Sequence, residues 1–204
     1  NNSDDIRISF INMDGIKLFS SLFLEITDKS IRDYILWILQ NSFNVSAEPP
    51  YELLKEVETV LRSSFRFYMS GVERSEIRLA IAYAKCGPDF AISLMKNVEF
   101  DTASVYFVYA PPDTQVEILE LFETLLFYPD EEVVNTATEK IKWNDFMPQI
   151  PNLMDKYVSK KFISLAAHFF NENPKPILNT RIVETLVQIF RTSKYSIRMQ
   201  SIIQ

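Results

Sequence analysis

Glycine is scarce in this sequence of 204 residues, where only Gly15, Gly71 and Gly87 occur. Average usage of about 7% would give roughly fourteen glycines in a chain of this length. Tight β-hairpins and glycine-rich phosphate-binding loops both depend on glycine, so the shortage disfavours both. Because 47% of the residues are hydrophobic, the chain can still bury a sizeable core, and helices joined by short turns are favoured.

Cysteine, histidine and basic residues are also few. The single cysteine, Cys86, excludes an internal disulfide, and no signal peptide is evident, so we predict a reducing compartment. The single histidine, His168, excludes metal sites and catalytic triads that need a second histidine. The net charge of −6 argues against nucleic acid or an acidic membrane surface as the main partner, and favours a basic one.

Long apolar runs and special clusters of reactive residues are missing as well. No apolar run approaches the roughly 20 residues that a membrane-spanning helix needs. No pair of carboxylates lies in a glycine-rich or otherwise distinctive context. We therefore predict a protein that is not an enzyme and needs neither a cofactor nor a metal.

The spacing of apolar residues predicts helices along nearly the whole chain, separated by prolines and short polar clusters. The predicted helices span residues 14–25, 30–42, 51–68, 74–86, 89–97, 101–109, 114–127, 130–141, 146–157, 160–171, 180–192 and 195–203. Capping residues that favour helix starts occur at Asp28 to Ser30, Ser75, Asp113-Thr114, Asp130 and Ser159.

The segment from Ser30 to Asn41 has the clearest helical pattern. Its core-facing side is predicted to hold Ile31, Ile35, Ile38 and Leu39. A second line, about 100° round the helix, holds Ser30, Tyr34, Trp37 and Asn41. This second line faces away from the core centre, so it is either a binding surface or a packing ridge.

Two distant segments, residues 11–41 and 178–203, share one layout in which a polar turn leads into an amphipathic helix and a second helix opens with Ser-Ile-Arg. Ile16 and Ile182 occupy the same place 166 residues apart, which is four intervals of 41.5. Such a period is typical of helical solenoids. We predict an all-α, right-handed armadillo/HEAT-like solenoid of about four to five repeats, one array over residues 1–204 with partial repeats at both ends.

The chain resembles the armadillo-repeat nuclear import adaptors, the importin-α (karyopherin-α) family, over most of its length. Helices that line the groove of that family carry Trp-x-x-x-Asn, which Trp37 and Asn41 match within IRDYILWILQN. Residues 47–61 resemble the family's proline-containing link, 79–95 its Trp-Ala-Ile-Ser-Tyr…Gly-Pro segment, and 159–178 a later repeat. Carried along the chain, the tryptophan column is Trp37, Leu79, Phe122 and Leu165. The asparagine column is Asn41, Tyr83, Leu126 and Phe169.

The resemblance implies an adaptor, located in the cytoplasm and nucleus, that binds Lys/Arg-rich nuclear localisation peptides and an importin-β-type carrier. Trp37 would clasp the aliphatic stem of a lysine, and the Asn41 amide would bind the peptide main chain. Glu76 stands where the family places an acidic residue, and Tyr83 matches a tyrosine that the family tolerates. Without that context, Trp37 and Asn41 could be packing residues and Glu76 an ordinary solvated one.

The later positions of both columns are apolar. Phe122, Leu126, Leu165 and Phe169 are predicted to form an apolar half of the groove, covered by a partner helix or a second copy of the chain. The alternative function is a generic armadillo or HEAT scaffold that holds another protein without recognising nuclear localisation signals.

Overall fold

A computed structural model describes residues 2–43, 51–65, 73–141 and 155–172. All regular secondary structure in these residues is helical, which confirms the predicted all-α class for this part of the chain. In chain order the helices are α1 (Asn2–Asn12), α2 (Gly15–Glu25), α3 (Lys29–Ser42), α4 (Tyr51–Phe65), α5 (Arg74–Ala84), α6 (Pro88–Asn97), α7 (Asp101–Phe107), α8 (Pro112–Leu126), α9 (Glu131–Lys140) and α10 (Lys156–Glu172).

Two of the predicted capping residues are confirmed. The Oδ1 atom of Asp28 accepts a hydrogen bond from the backbone N–H of Ile31 at 3.0 Å, and Asp130 caps α9 in the same way.

The prediction for Ser75 is wrong, because α5 already begins at Arg74 and Ser75 lies inside its first turn. The prediction for Ser159 is wrong too, since Asp155 accepts from the N–H groups at the start of α10. The helices predicted at 180–192 and 195–203, and most of 146–157, lie outside the described residues.

Helix α1 has no counterpart among the predicted helices. Its apolar residues Ile6, Ile8 and Phe10 alternate along the sequence, a spacing that does not mark one face of a helix. The Phe10 ring packs against Phe19 of α2 at 5.5 Å between centroids, and it lies directly over Gly15, where any Cβ atom would collide with it. Tertiary contact with α2 therefore supports a helix that the spacing alone does not indicate.

The chain divides into two compact units, Asn1–Phe100 and Asp101–Gln204. In the first unit α2 packs against α3 and α4 against α5, so each pair forms a hairpin. The two hairpins stack with α2 on α4 and α3 on α5. The core between these two layers is apolar and nearly free of solvent, and includes Ile16, Phe23, Leu39, Val57 and Ala80.

Two polar contacts fix the direction of α3 relative to α5. The Ser75 hydroxyl donates a hydrogen bond to Oδ1 of Asp33 at 2.7 Å. Lys29 forms an ion pair with Glu73 at 2.8 Å, immediately before α5. Both contacts join the beginning of one helix to the beginning of the other, so α3 and α5 run in the same direction.

In the second unit α8 is the central helix and packs against α7, α9 and α10. Lys161 of α10 forms an ion pair with Glu123 of α8 at 2.5 Å. Further along both segments, the His168 ring stacks on Phe127 with centroids 4.1 Å apart. Because both members of the second pair come later in the sequence, α8 and α10 also run in the same direction.

Candidate functional site on helix α3

Helix α3 is amphipathic, and its apolar face is packed into unit 1. Its Ile35, Leu36 and Leu39 are at most 2% exposed. Ile31, which was predicted to face the core, is instead 46% exposed. The reason is that the buried face is rotated towards Leu36, which leaves Ile31 at its margin.

The outer face of α3 carries exposed aromatic side chains. Tyr34 is 70% exposed and Trp37, one turn later, is 61% exposed, as the helical spacing predicts. Eight of the ten large hydrophobic side chains that are exposed in the described residues lie between residues 6 and 37. Tyr34 and Trp37 are three residues apart and so are neighbours on one helix face. Neighbouring exposed apolar side chains mark an interaction surface more often than scattered ones do. We name Ile31, Tyr34, Trp37 and Asn41 the α3 surface.

Asn41 lies beside Trp37, but its amide group is partly engaged. Its Nδ2 atom donates a hydrogen bond to the backbone carbonyl of Trp37 at 2.7 Å, within the same helix. That bond uses one of the two N–H groups of Nδ2, so Asn41 can donate to the main chain of a bound peptide, as the resemblance implies, without breaking it. A carboxamide carries a second N–H and a carbonyl oxygen that can also bind.

Glu76 does not face solvent beside the α3 surface. It is 8% exposed, and its Oε2 atom accepts a hydrogen bond from the backbone N–H of Glu73 at 2.9 Å. Burial raises the pKa of Glu76 from 4.5 to about 7, against the opposing effects of this hydrogen bond and of the Arg32 charge. The carboxyl group therefore helps to cap the start of α5. Because it is buried, a lysine of a bound peptide cannot reach it.

Tyr83 is also an internal residue, with 1% of its surface exposed. Its hydroxyl donates to Glu58 of α4 at 3.1 Å, and the hydroxyl of Ser93 in α6 donates to the same carboxylate oxygen at 2.5 Å. Arg62 pairs with the other oxygen of Glu58 at 2.7 Å. Burial raises the pKa of Tyr83, with a smaller contribution from the nearby Glu58 charge. These contacts tie α4, α5 and α6 together.

A shift of one residue in register explains why Glu76 and Tyr83 are internal. The buried residues of α3 align with buried residues of α5 at an offset of 41 positions. This offset pairs Ile35 with Glu76, Leu36 with Ile77, Leu39 with Ala80 and Ser42 with Tyr83. The resemblance used an offset of 42. One residue turns a helix by about 100°, so the exposed counterpart of Trp37 on α5 is Arg78 and not Leu79.

The structure places three of the four apolar groove candidates inside unit 2. Phe122 is 0%, Leu165 1% and Leu126 2% exposed. Phe169 is part of α10, but its side chain lies outside what the structure describes. Burial of the other three removes the accessible surface on which the apolar groove hypothesis depends, because a partner cannot contact side chains that are already packed.

The described residues offer no metal site and no membrane-spanning helix. No group of three or more histidine, cysteine, aspartate or glutamate side chains there could hold a metal ion. None of the helices described is both long and apolar enough to cross a bilayer. Comparison with known proteins adds no relative, since no family model, curated protein or solved structure matches the chain. The α3 surface is therefore the strongest candidate site among the described residues.

Proposed function

We propose that this protein is a helical-repeat scaffold of the armadillo or HEAT type, which binds a segment of another protein on the α3 surface. The observation that carries the proposal is the exposure of Tyr34 and Trp37 on a helix whose opposite face is fully packed. A large aromatic side chain on a rigid support loses little conformational entropy on binding. Such residues dominate the binding energy of protein interfaces.

The packing within each unit supports a repeat architecture. In unit 1 the contacts between α3 and α5 join residues 42 and 44 positions apart. In unit 2 the Lys161–Glu123 contact between α10 and α8 spans 38 positions. Parallel helices that recur at about 40 residues and are linked through an intervening helix are typical of armadillo and HEAT repeats. These repeats bury their cores by stacking, which leaves one helix of each repeat available for ligands.

Selection from a random peptide library displayed on phage tests the proposal. We expect immobilised protein to enrich peptides that a Trp37→Ala variant does not retain, because truncation removes the central aromatic contact. A Tyr109→Ala variant is the matched control, since Tyr109 is 80% exposed but lies in unit 2. Enrichment of no peptide, or of peptides that Trp37→Ala binds equally well, would contradict the proposal.

A second candidate function is the nuclear import adaptor that the resemblance implies. It is favoured by the neighbouring positions of Trp37 and Asn41 on the outer face of α3 and by the net charge of −6. This proposal includes binding of lysine-rich localisation peptides, association with an importin-β-type carrier, and residence in the cytoplasm and nucleus.

The adaptor is tested by measuring the anisotropy of a labelled lysine-rich peptide at two salt concentrations. Salt-sensitive binding that a Trp37→Ala/Asn41→Ala double variant loses would support it. Absence of binding by the parent protein would leave the general scaffold as the function.

A further inference from the structure

We propose that the ligand of the α3 surface is an amphipathic helix of another protein, which packs along α3 from Ser30 to Asn41 through a face without charged residues. This inference rests on the proposed scaffold function and specifies the conformation and the charge of the partner. It differs from the adaptor hypothesis, in which the ligand is a lysine-rich peptide.

The spacing of the residues on the outer face of α3 is the first observation. Ser30, Tyr34, Trp37 and Asn41 follow one another at intervals of four, three and four residues. This alternation keeps the side chains in one line, as in the contact line between two packed helices. We call these four residues the outer seam. The seam extends about 16 Å along the helix axis, which is enough for about three turns of a partner helix.

The exposure of the seam is the second observation. Ser30 is exposed, Tyr34 and Trp37 are 70% and 61% exposed, and Asn41 is half-buried. The packed face of α3 lies on the opposite side of its axis, and the neighbours α1, α2 and α5 leave the seam open. Helix α3 thus has two sides suited to packing, and only one of them is covered within unit 1.

The charge around the seam is the third observation. Residues 28–42 contain two acidic and two basic side chains, and none of them belongs to the seam. Asp28 caps α3 itself, and Lys29 and Asp33 contact the start of α5. The Arg32 guanidinium lies 4.0 Å from the centre of the Phe23 ring.

Of these charged residues, only Asp33 borders the seam, one turn before Trp37, and its carboxylate already accepts the Ser75 hydroxyl. A charged side chain that a partner placed on the seam would lose water and meet no opposite charge in the seam itself. An uncharged face pays no such cost and also covers the two aromatic rings. The seam is therefore complementary to the apolar side of an amphipathic helix.

Asn41 gives the seam a polar end. One N–H of its carboxamide binds the Trp37 carbonyl, and the second N–H and the carbonyl oxygen can bind a partner. In paired helices a single asparagine in the contact line fixes their alignment, because a buried amide must find a polar group. A partner helix should place an uncharged polar residue opposite Asn41 and apolar residues opposite Tyr34 and Trp37.

The test is a selection from a phage library of alanine-rich peptides of about 18 residues, long enough to form a helix, with one face randomised to all residue types. We expect immobilised protein to enrich peptides whose randomised face is apolar and uncharged. A proline at the centre of a selected peptide should weaken its binding by about tenfold or more, because it breaks the helix. Raising the salt concentration should change the affinity by less than about twofold.

Variants of the protein locate the contact. Tyr34→Lys places a charge in the seam and should weaken binding of a selected peptide by about tenfold or more. Tyr109→Lys makes the same change at an 80% exposed position of unit 2 and should alter affinity by less than about twofold. Circular dichroism shows whether Tyr34→Lys still folds, and Tyr34→Phe, which keeps the ring and adds no charge, should bind as the parent does.

The alignment at Asn41 has its own test. Repeating the selection on an Asn41→Leu variant should replace the polar residue at one position of the enriched peptides by an apolar one. An unchanged preference at every position would overturn the alignment by Asn41.

The outcomes separate this inference from the proposed function. Trp37-dependent peptides that tolerate the central proline, or that carry charges on the randomised face and bind less tightly as salt rises, would overturn the uncharged helix but keep the α3 surface as a binding site. The same holds if only the random library used to test the scaffold yields Trp37-dependent peptides. If neither library yields any, both proposals are overturned.

Sedimentation of the protein alone tests a different occupant of the seam. We expect a monomer. A dimer that Tyr34→Lys dissociates would show that a second copy of the chain covers the seam, and it would overturn both proposals.

Discussion

Helix α3 of unit 1 and helix α8 of unit 2 are both rich in apolar residues, but they bury different fractions of their side chains. Helix α8 buries nine of its fifteen residues, among them Phe122, whereas α3 buries four of its fourteen and leaves Trp37 exposed. Each helix packs against three others, α3 against α1, α2 and α5 and α8 against α7, α9 and α10, so the difference lies in which faces are covered. The neighbours of α3 leave the side that carries Tyr34 and Trp37 open to solvent. An aromatic residue at a helical repeat position is therefore structural or available for binding according to what covers it.

The largest expected effect is on the stability of unit 2. Phe122→Ala should lower the free energy of unfolding by about 3–5 kcal/mol, because it leaves a cavity where a fully buried ring was packed. Urea denaturation followed by circular dichroism measures this loss, with Tyr157→Ala, at a 77% exposed position, as the control. A loss below about 1 kcal/mol would show that α8 is not the centre of a packed core.

The next effect is a pH dependence that belongs to unit 1. The pKa of Glu76 is raised by burial from 4.5 to about 7, so between these values the folded chain holds a proton that the unfolded chain releases. The free energy of unfolding should therefore fall as pH rises through this range, by at most about 1.4 kcal/mol per pH unit.

Glu76→Gln should remove this slope, since glutamine does not titrate and still offers an oxygen to the Glu73 N–H. Denaturation at several pH values measures the slope in the parent and the variant, and hydrogen exchange locates it. We expect the protection of α3 and α5 amides to change. An equal slope in both proteins would assign the pH dependence to other groups.

Helix capping should matter equally in the two units. Asp28→Ala and Asp130→Ala each remove a side chain that binds backbone N–H groups at a helix start, and each should cost about 1 kcal/mol of stability. Asp28→Asn and Asp130→Asn should restore most of the loss, because the asparagine carbonyl also accepts such bonds. Thermal or urea unfolding of the four variants makes the comparison.

The smallest effect is expected at the candidate site. Trp37→Ala should change the free energy of unfolding by less than about 0.5 kcal/mol, since an exposed side chain contributes little packing. The same denaturation experiments measure it. A loss comparable with that of Phe122→Ala would mean that the indole is a packing residue. Trp37 in α3 and Phe122 in α8 would then have the same structural role.

The sequence predicts much of α3 because several local signals agree there. Asp28 is a good cap, Ile35 and Leu39 have core spacing, and Trp37 falls on the opposite side. The family resemblance places Glu76 and Tyr83 in a groove through an alignment offset of 42 residues, and their buried positions show how sensitive a helix is to register. One residue of error rotates a side chain by about 100°, which exchanges an exposed position for a buried one.

Contacts between distant residues are the part that the sequence does not reveal. The bond between Ser75 and Asp33 spans 42 residues, and the carboxylate of Glu58 binds partners on α5 and α6. No local pattern marks these side chains as partners, because each is an ordinary polar residue on its own helix. The stacking of hairpins brings them together.

The exposure of Trp37 also makes its intrinsic fluorescence a probe of ligand binding. An indole that is 61% exposed relaxes against water after excitation, so it emits at long wavelength and is open to collisional quenching by iodide. The only other tryptophan is Trp143, and a Trp143→Phe variant would leave Trp37 as the single emitter. A ligand seated on the α3 surface should then shift the emission to the blue and shield it from the quencher, without any label.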